Sequence, residues 1–481
     1  MPSSNAPQVV ETHISTLFFA RDRVYKLAKR VDLPFLRTLD TVERLDLATR
    51  ELELNRRFAP DVYLGLADVS EGDGIVDRMI VMRRLPSDRR LSELLHHADA
   101  TSYLREVARC IATVHSTADP VIGPVASIER LEQNWSDNFD ALAPHAGSVI
   151  PLDEFTGVQQ LAESYLRQSR TLRESRIADG FIRDGHGDLT ADDIYCLDDG
   201  PRILDCLAFD DALRIDDVLN DIAFLVMDVH RLAGRTPAQL LMKAYQEFSN
   251  EQHPPSLAHH YVAYRAHVRA KVACLRVEQG DAASAEIAHS HHALALHHLR
   301  RARLNVVLVG GGPGVGKTLL ARRIAEHYGY IHLATDEIRH DVEQIPHGQH
   351  AFASPDQGAY DPAAVDATYA EQCREACTLI SNGYGVVLDA SWASAQHRST
   401  IQRAVGDLGV DVIEIECVLD DSIARERIAR RLANPDNPSD ATPDLVDLLK
   451  SRRQPWPEAH QIDTAASVDD VVRSALAFVD D

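Results

Sequence analysis

The sequence predicts an α+β region over residues 1–303, followed by an α/β region with a parallel sheet over residues 304–481. Three observations carry this. The run NVVLVGG (305–311) is apolar and β-branched, as a strand buried on both faces requires, and it passes through glycines into an amphipathic helix. From there strand and helix signals alternate to the C-terminus, the pattern of βαβ units. Before residue 303, strand signals cluster near the N-terminus and helical patterning dominates afterwards. Composition shifts abruptly near Arg303, where the main boundary is expected. No internal repeat or low-complexity linker separates the regions, so two directly packed domains are expected.

In chain order, ETHISTLFFARDRVYKLA (11–28) reads as two short strands around a turn at Arg21–Asp22. TVERLDLATRELELNRRFA (41–59) is helical, with Leu45, Leu52 and Phe58 among its apolar positions. DRMIVMRRL returns to strand character, and LSELLHHADATSYLREVARCIATVHS to helix. The pattern from Leu131 to Asn250 is mainly helical, but one segment interrupts it. GHGDLTADDIYCLDDGPRILDCLAFDD (185–211) carries eight acidic side chains and a single arginine. Residues 256–304 are largely helical again.

Gly311-Gly312-Pro313-Gly314-Val315-Gly316-Lys317-Thr318 matches GxxxxGK[ST] in the strand–loop–helix context that motif needs. Its glycines let backbone N–H groups converge on phosphate oxygens, and the helix beginning near Lys317 adds its positive dipole end. Lys317 is expected at the β- and γ-phosphates of ATP and Thr318 at Mg²⁺. Asp336, beyond a second strand, is expected either to take a proton from an acceptor hydroxyl or to cap the following helix. Arg339 on that helix is expected to bind the acceptor. A third strand ends at Asp389, a candidate for the Mg²⁺ water shell. Arg427, Arg430 and Arg431 on a basic helix either close over the phosphates as a lid or form a solvated face.

Together TDEIR, VVLDAS, Arg398 and RERIARR…SDAT resemble the P-loop kinases that include polynucleotide kinase and the zeta-toxin group, over residues 305–465. The resemblance implies phosphoryl transfer, with Asp336 as base, lid arginines on the basic helix, and Arg339 and Arg398 toward the acceptor. The acidic stretch resembles a second family. HGDLTADD followed by RILDCLAF is similar to the catalytic loop and metal-binding aspartate of the aminoglycoside phosphotransferases, relatives of protein kinases. That likeness implies that Asp188 orients or deprotonates the acceptor hydroxyl and that Asp193 and Asp205 hold Mg²⁺ on ATP. It makes His186 a brace of the loop and leaves Asp192, Asp198 and Asp199 as solvated bystanders. Asp193 stands where that family has asparagine, and Thr190 where relatives often have histidine. Upstream, Lys26 on a strand and Glu51 on the next helix match the phosphate-contacting lysine and its partner, with Glu53 a competing choice. The likeness spans residues 11–276. The whole chain resembles fusions of an aminoglycoside-phosphotransferase-like, protein kinase-like domain to a P-loop kinase.

A net charge of −23 argues against a nucleic-acid end kinase, which needs a broad basic surface. The seven cysteines are scattered, without CxxC or zinc spacing, so reduced thiols in a cytoplasmic protein are expected. No apolar run approaches the roughly 20 residues of a membrane helix. The residues thus point to an ATP- and Mg²⁺-dependent phosphotransferase with two ATP sites and a small-molecule acceptor. The rival reading is an ATP-responsive regulator with a pseudokinase first half. His289, His291, His292, His297 and His298 read as a polar helix rather than a metal site. Arg265, Arg269 and Arg276 read as a stripe packed on acidic segments, and His115 as a buried, hydrogen-bonded residue. Trp135, Trp392 and Trp456 read as packing.

Overall fold

The computed structural model describes residues 8–12, 14–33, 36–342, 361–432 and 450–480. The chain forms two compact units. One comprises residues 1–151, 174–253 and 261–295, and the other residues 152–173, 254–260 and 296–481.

The first unit begins with a five-stranded sheet of β1 (Gln8–Glu11), β2 (Ser15–Ala20), β3 (Arg23–Ala28), β6 (Tyr63–Glu71) and β7 (Gly74–Arg83), in the order β1-β2-β3-β7-β6. Every pairing in it is antiparallel. The predicted turn appears at Arg21, whose φ of 53° suits the tight link between β2 and β3. A two-stranded ribbon, β4 (Asp32–Leu33) with β5 (Leu36–Arg37), precedes the helix Thr41–Asn55. Asp40 caps that helix, its carboxylate accepting from Val42 N–H at 2.7 Å. Arg44, Ala48, Leu52 and Asn55 recur on its buried face, and Ala48 and Leu52 pack with Val24, Ile80 and Met82 of the sheet and with Val62 just before β6.

Helices make up most of the rest of this unit, among them Ala100–Thr117 and Val218–Ala233. The acidic stretch folds as short strands. β8 (Ile182–Asp184) pairs with β11 (Ile215–Asp217), and β9 (Ile194–Leu197) forms a hairpin with β10 (Gly200–Ile203). Asp198 and Asp199 occupy the hairpin turn.

The second unit holds a five-stranded, all-parallel sheet of β12 (Asn305–Gly311), β13 (Ile331–Ala334), β14 (Val386–Asp389), β15 (Asp411–Val418) and β16 (His460–Asp463). Its order is β13-β14-β12-β15-β16. Every residue of β12 and β14 is buried, as central parallel strands covered on both faces must be. The strand that feeds the glycine loop therefore lies directly beside the strand that ends at Asp389, with Val309 in register with Asp389.

Candidate functional site

In the second unit, the glycine loop leads into the helix Lys317–Tyr328, whose N-cap is Gly316 in the left-handed region, with no side chain capping the first turn. The uncapped amides form an anion-binding terminus. Gly314 is fixed by its surroundings. Its φ is +77°, and a Cβ there would lie 2.6 Å from Ala424 O and 2.9 Å from an Ile428 side-chain carbon. The loop is thus seated on the helix Asp421–Leu432. That helix also carries Arg427, which donates to Thr464 O at 3.0 Å, while Thr464 Oγ1 donates to Val315 O at 2.5 Å. Arg427 Nη1 lies 3.5 Å from where a Cβ on Gly316 would be, so its charge borders the phosphate cradle.

Asp389 is buried, and its Oδ1 has no hydrogen-bond partner among the described residues. His332 Nε2 stands 3.4 Å from Oδ2. Burial raises the carboxyl, but His332, Lys317 and the Thr318 hydroxyl outweigh it and hold it below the usual carboxylate range. A buried, ionised carboxylate with an unclaimed oxygen, next to a threonine hydroxyl at the phosphate cradle, is an oxygen donor set suited to Mg²⁺.

Asp336 sits in the first turn of the helix Thr335–Val342, 41% exposed, with Arg339 Nη1 at 3.4 Å. Thr335, not Asp336, ties the helix start to Asp389 O, at 3.3 Å. Arg430 is exposed and pairs with Glu426. The side chain of Arg431 and the loop after it lie outside the described residues. Arg398, expected to face the acceptor, is 5% exposed. It donates to Trp392 O at 2.6 Å and Pro455 O at 2.7 Å, and its guanidinium lies over the Trp456 ring. Those bonds are the geometry of a packing residue, since the carbonyls claim the donors that an acceptor would need. The sequence reading missed Tyr369, whose ring stacks on His397 and whose hydroxyl lies 3.1 Å from Ser391 Oγ.

In the first unit, β3 and the helix Thr41–Asn55 bring Lys26 and Glu51 together, with Nζ to Oε1 at 2.7 Å. Glu53 is exposed and takes no part. Asp205 also ion-pairs with Lys26. Burial works against the ammonium, but Asp205 and Glu51 raise it well above the usual lysine range. Asp205 has a φ of +66°, unusual for a residue other than glycine, and is held in place from several sides. Its N–H donates to Tyr63 Oη at 3.1 Å, and the next N–H, of Cys206, donates to Asn55 Oδ1 at 2.9 Å.

The loop after β8 is fastened from below by Asp221, on the helix Val218–Ala233. Its carboxylate accepts from His186 N–H and Gly187 N–H, each at 2.8 Å, and lies 3.0 Å from His115 Nε2. A Cβ on Gly185 would come within 2.6 Å of the same carboxylate. The buried ring of His186 meets Leu204 O through Nε2 at 3.0 Å and packs edge-on against Phe58, the bracing role expected of it. Desolvation raises the Asp188 carboxyl, opposed chiefly by Arg269. Burial and the Asp205 carboxylate push Asp193 up to about 8, although Thr190 donates to it at 2.6 Å.

Among the described residues no group of three acidic, histidine or cysteine side chains is gathered as a metal set. The Asp205 carboxylate, paired with Lys26, also acts on both Asp188 and Asp193, which places the expected trio within electrostatic reach of one another. Asp192 meets Ser92, Asp198 meets Arg89 and Asp199 meets Arg202, all at the surface as expected of bystanders.

A family model described as an AAA domain matches residues 306–456. The uncharacterized protein Rv2004c of Mycobacterium tuberculosis is 34% identical over 461 residues, covering 95% of this chain and 92% of that one. An uncharacterized protein of Mycobacterium bovis matches with the same figures. Among solved structures, a choline/ethanolamine kinase family protein from Mesorhizobium loti aligns over 62% of this chain and 94% of its own, at 12% identity and TM-score 0.38. The APS kinase CysC of Mycobacterium tuberculosis aligns over 37% of this chain and 99% of its own, at 18% identity and TM-score 0.29. No helix among the described residues is long and apolar enough to cross a membrane. With that identity held over nearly the full length of both mycobacterial proteins, the chain belongs to one family with them, and within it residues 306–456 match the AAA domain model.

Proposed function

We propose that the chain is an ATP-dependent phosphotransferase that moves the γ-phosphoryl group to a hydroxyl of a small acceptor, with a nucleotide site in each unit. The observation that carries this is the pairing of an uncapped helix terminus behind the glycine loop with the unclaimed buried oxygen of Asp389 beside Thr318. Lys317 and the loop amides hold the β- and γ-phosphates, and Arg427 at Gly316 balances charge that develops during transfer. Thr318 and Asp389 would hold Mg²⁺, which would supply neutralisation of phosphate charge. Asp336, partly exposed and steadied by Arg339, receives the acceptor proton. In the first unit Lys26 meets the phosphates, Asp205 and Asp193 stand on the metal side, and Asp188 takes the proton.

One observation favours the regulatory reading for the first unit. Lys26 is already paired with both Asp205 and Glu51, so nucleotide must compete with Asp205 for the ammonium. The test is ADP release by the full chain with ATP and Mg²⁺ alone, then with sugars, polyols, aminoglycosides or 5′-hydroxyl oligonucleotides. Acceptor-dependent turnover is expected with small hydroxyl compounds. ATP binding that no acceptor converts into phosphoryl transfer would leave the regulatory reading standing instead.

A further inference from the structure

Two arginines lie one helical turn apart on the helix Pro255–Glu278, and their surroundings differ sharply. Arg265 is 5% exposed and is held by several close partners. It donates to Asn220 Oδ1 at 3.0 Å and Gly187 O at 3.4 Å, and pairs with Asp216 at 3.5 Å. It fastens the loop and packs on an acidic neighbour, the kind of packing expected of the stripe. Arg269 is 32% exposed and makes no hydrogen bond among the described residues. Its ion partner is Asp188, the proposed base, at 3.8 Å, beyond hydrogen-bond reach, with Asp188 itself 44% exposed. Phe224 lies under the guanidinium, 6.0 Å from ring centroid to carbon, and limits how far it can turn away.

The same corner carries more positive charge. Arg231 is 37% exposed and grips Asp228, and Asp228 in turn accepts from Ala191 N–H of the loop at 3.0 Å. His291 is buried close enough for the charges of Arg231 and Arg269 to oppose its protonation. In a chain of net charge −23, the half-exposed base therefore has beside it a guanidinium that makes no hydrogen bond among the described residues. A polycationic acceptor would meet repulsion there, whereas a phosphate or carboxylate would gain charge-assisted hydrogen bonds to a planar fork.

We propose that the acceptor of the first unit is a small hydroxyl compound bearing an anionic group, phosphate or carboxylate, which docks on Arg269 while its hydroxyl meets Asp188. This rests on the phosphotransferase reading of that site. In the step, the acceptor oxygen bonds to the γ-phosphorus of ATP as its proton passes to Asp188. The bond from that phosphorus to the bridging oxygen breaks, and ADP leaves with the electron pair.

The test uses the full chain carrying Lys317→Ala, loaded with AMPPNP and Mg²⁺, and titrated calorimetrically with inorganic phosphate and separately with kanamycin. Millimolar phosphate binding is expected. It should weaken at least tenfold in Arg269→Gln and stay within about threefold in Arg269→Lys, which keeps the charge. Asp188→Asn should tighten phosphate binding by removing the neighbouring carboxylate, a gain that a merely structural arginine would not produce. Phosphate binding that is absent, or equal in Arg269→Gln and the parent, overturns the proposal. So does kanamycin binding by the parent that matches its phosphate binding and is unchanged in Arg269→Gln. The two readings fail separately. Arg269-dependent phosphate binding without any ATP turnover keeps the anion site and sinks the phosphotransferase. Turnover of uncharged or cationic acceptors indifferent to Arg269 does the reverse.

Discussion

Asp221 is the residue on which the loop carrying Asp188 rests, and its removal gives the sharpest structural prediction. The side chain is 1% exposed and accepts from two buried amides, while His115 Nε2 lies at 3.0 Å. Asp221→Ala leaves three polar groups without an acceptor. Each buried orphan costs about 1–3 kcal/mol, but water entering the vacated space recovers part of that, so a local loss of about 3–5 kcal/mol is expected. The assay is hydrogen–deuterium exchange of the segment holding His186, Gly187 and Asp188. A loss of about 3 kcal/mol in opening free energy should speed exchange there by more than 100-fold. Gly185→Ala should do similar damage by a different route, because its Cβ would sit 2.6 Å from the same carboxylate. The charge gives a further check. Burial opposes ionisation of Asp221, yet its hydrogen-bond contact with His115 and the nearby Arg265 hold its carboxyl well below the usual value. The folded form thus binds fewer protons than the unfolded chain in acid. The stabilisation is complete above about pH 4, the unfolded carboxyl's range, and is lost as pH falls below it. Exchange within tenfold of the parent in Asp221→Ala would refute the reasoning.

Gly314→Ala in the second unit should abolish nucleotide-dependent stabilisation in a thermal melt. The left-handed φ costs about 1–2 kcal/mol, and the Cβ meets the Ala424 carbonyl at 2.6 Å, so the cradle must shift. Asp336→Asn should lower acceptor-dependent turnover by roughly 10²–10⁴-fold at nearly unchanged ATP affinity, read from steady-state kinetics beside nucleotide titration. His267 is fully buried, packed against Trp135 and Phe139, with neither ring nitrogen hydrogen-bonded among the described residues. Burial, then the charges of His292 and Lys271, hold it well below the ordinary histidine value. The unfolded chain therefore takes up the proton first, and stability should fall as pH drops below about 6.5. His267→Phe should flatten that part of a denaturation-versus-pH profile.

What the sequence revealed was governed by distance along the chain. The phosphate cradle is local, because an amide nest needs glycines at fixed spacing, and eight consecutive residues declare it. Lys26 and Glu51 were legible only through a family likeness, since 25 residues of chain separate a strand position from a helix position with no spacing rule of their own. The supports of Asp205 were not legible at all. Tyr63 and Asn55 reach it across roughly 140 residues, and nothing about a tyrosine or an asparagine marks it for that task. The same holds for Asp221, on which no sequence signal falls and which only the fold turns toward the loop. Arg398 misled for a related reason. A resemblance assigns a position to the acceptor side, but whether an arginine's donors face a ligand or two carbonyls depends on the local backbone, here the turn at Trp392 with its φ of 47°. The strand Tyr63–Glu71 was overlooked because its sequence, YLGLADVSE, mixes glycine and two acidic residues into a weak alternation.

On the proposed function the two units would handle phosphate by different means, and that difference bears on the proposed role of Arg269. The second unit would add the backbone amides of its glycine loop, which are fixed by the fold and require no counter-charge when empty, to the charges of Lys317 and Arg427. The first relies on side-chain charges, and each such charge is balanced by another: Lys26 by Asp205 and Glu51, Arg231 by Asp228, Arg265 by Asp216. In a site built this way an ionic group left without a close partner is a departure from the local rule. Arg269 is that departure, standing 3.8 Å from Asp188 without a hydrogen bond to it. Closer pairing would neutralise the base and lower its affinity for a proton, whereas full separation would leave nothing to draw an acceptor's charge to the reacting end. The observed spacing keeps both groups usable. It is a geometry suited to an acceptor that brings its own negative charge within a few bonds of the hydroxyl to be phosphorylated.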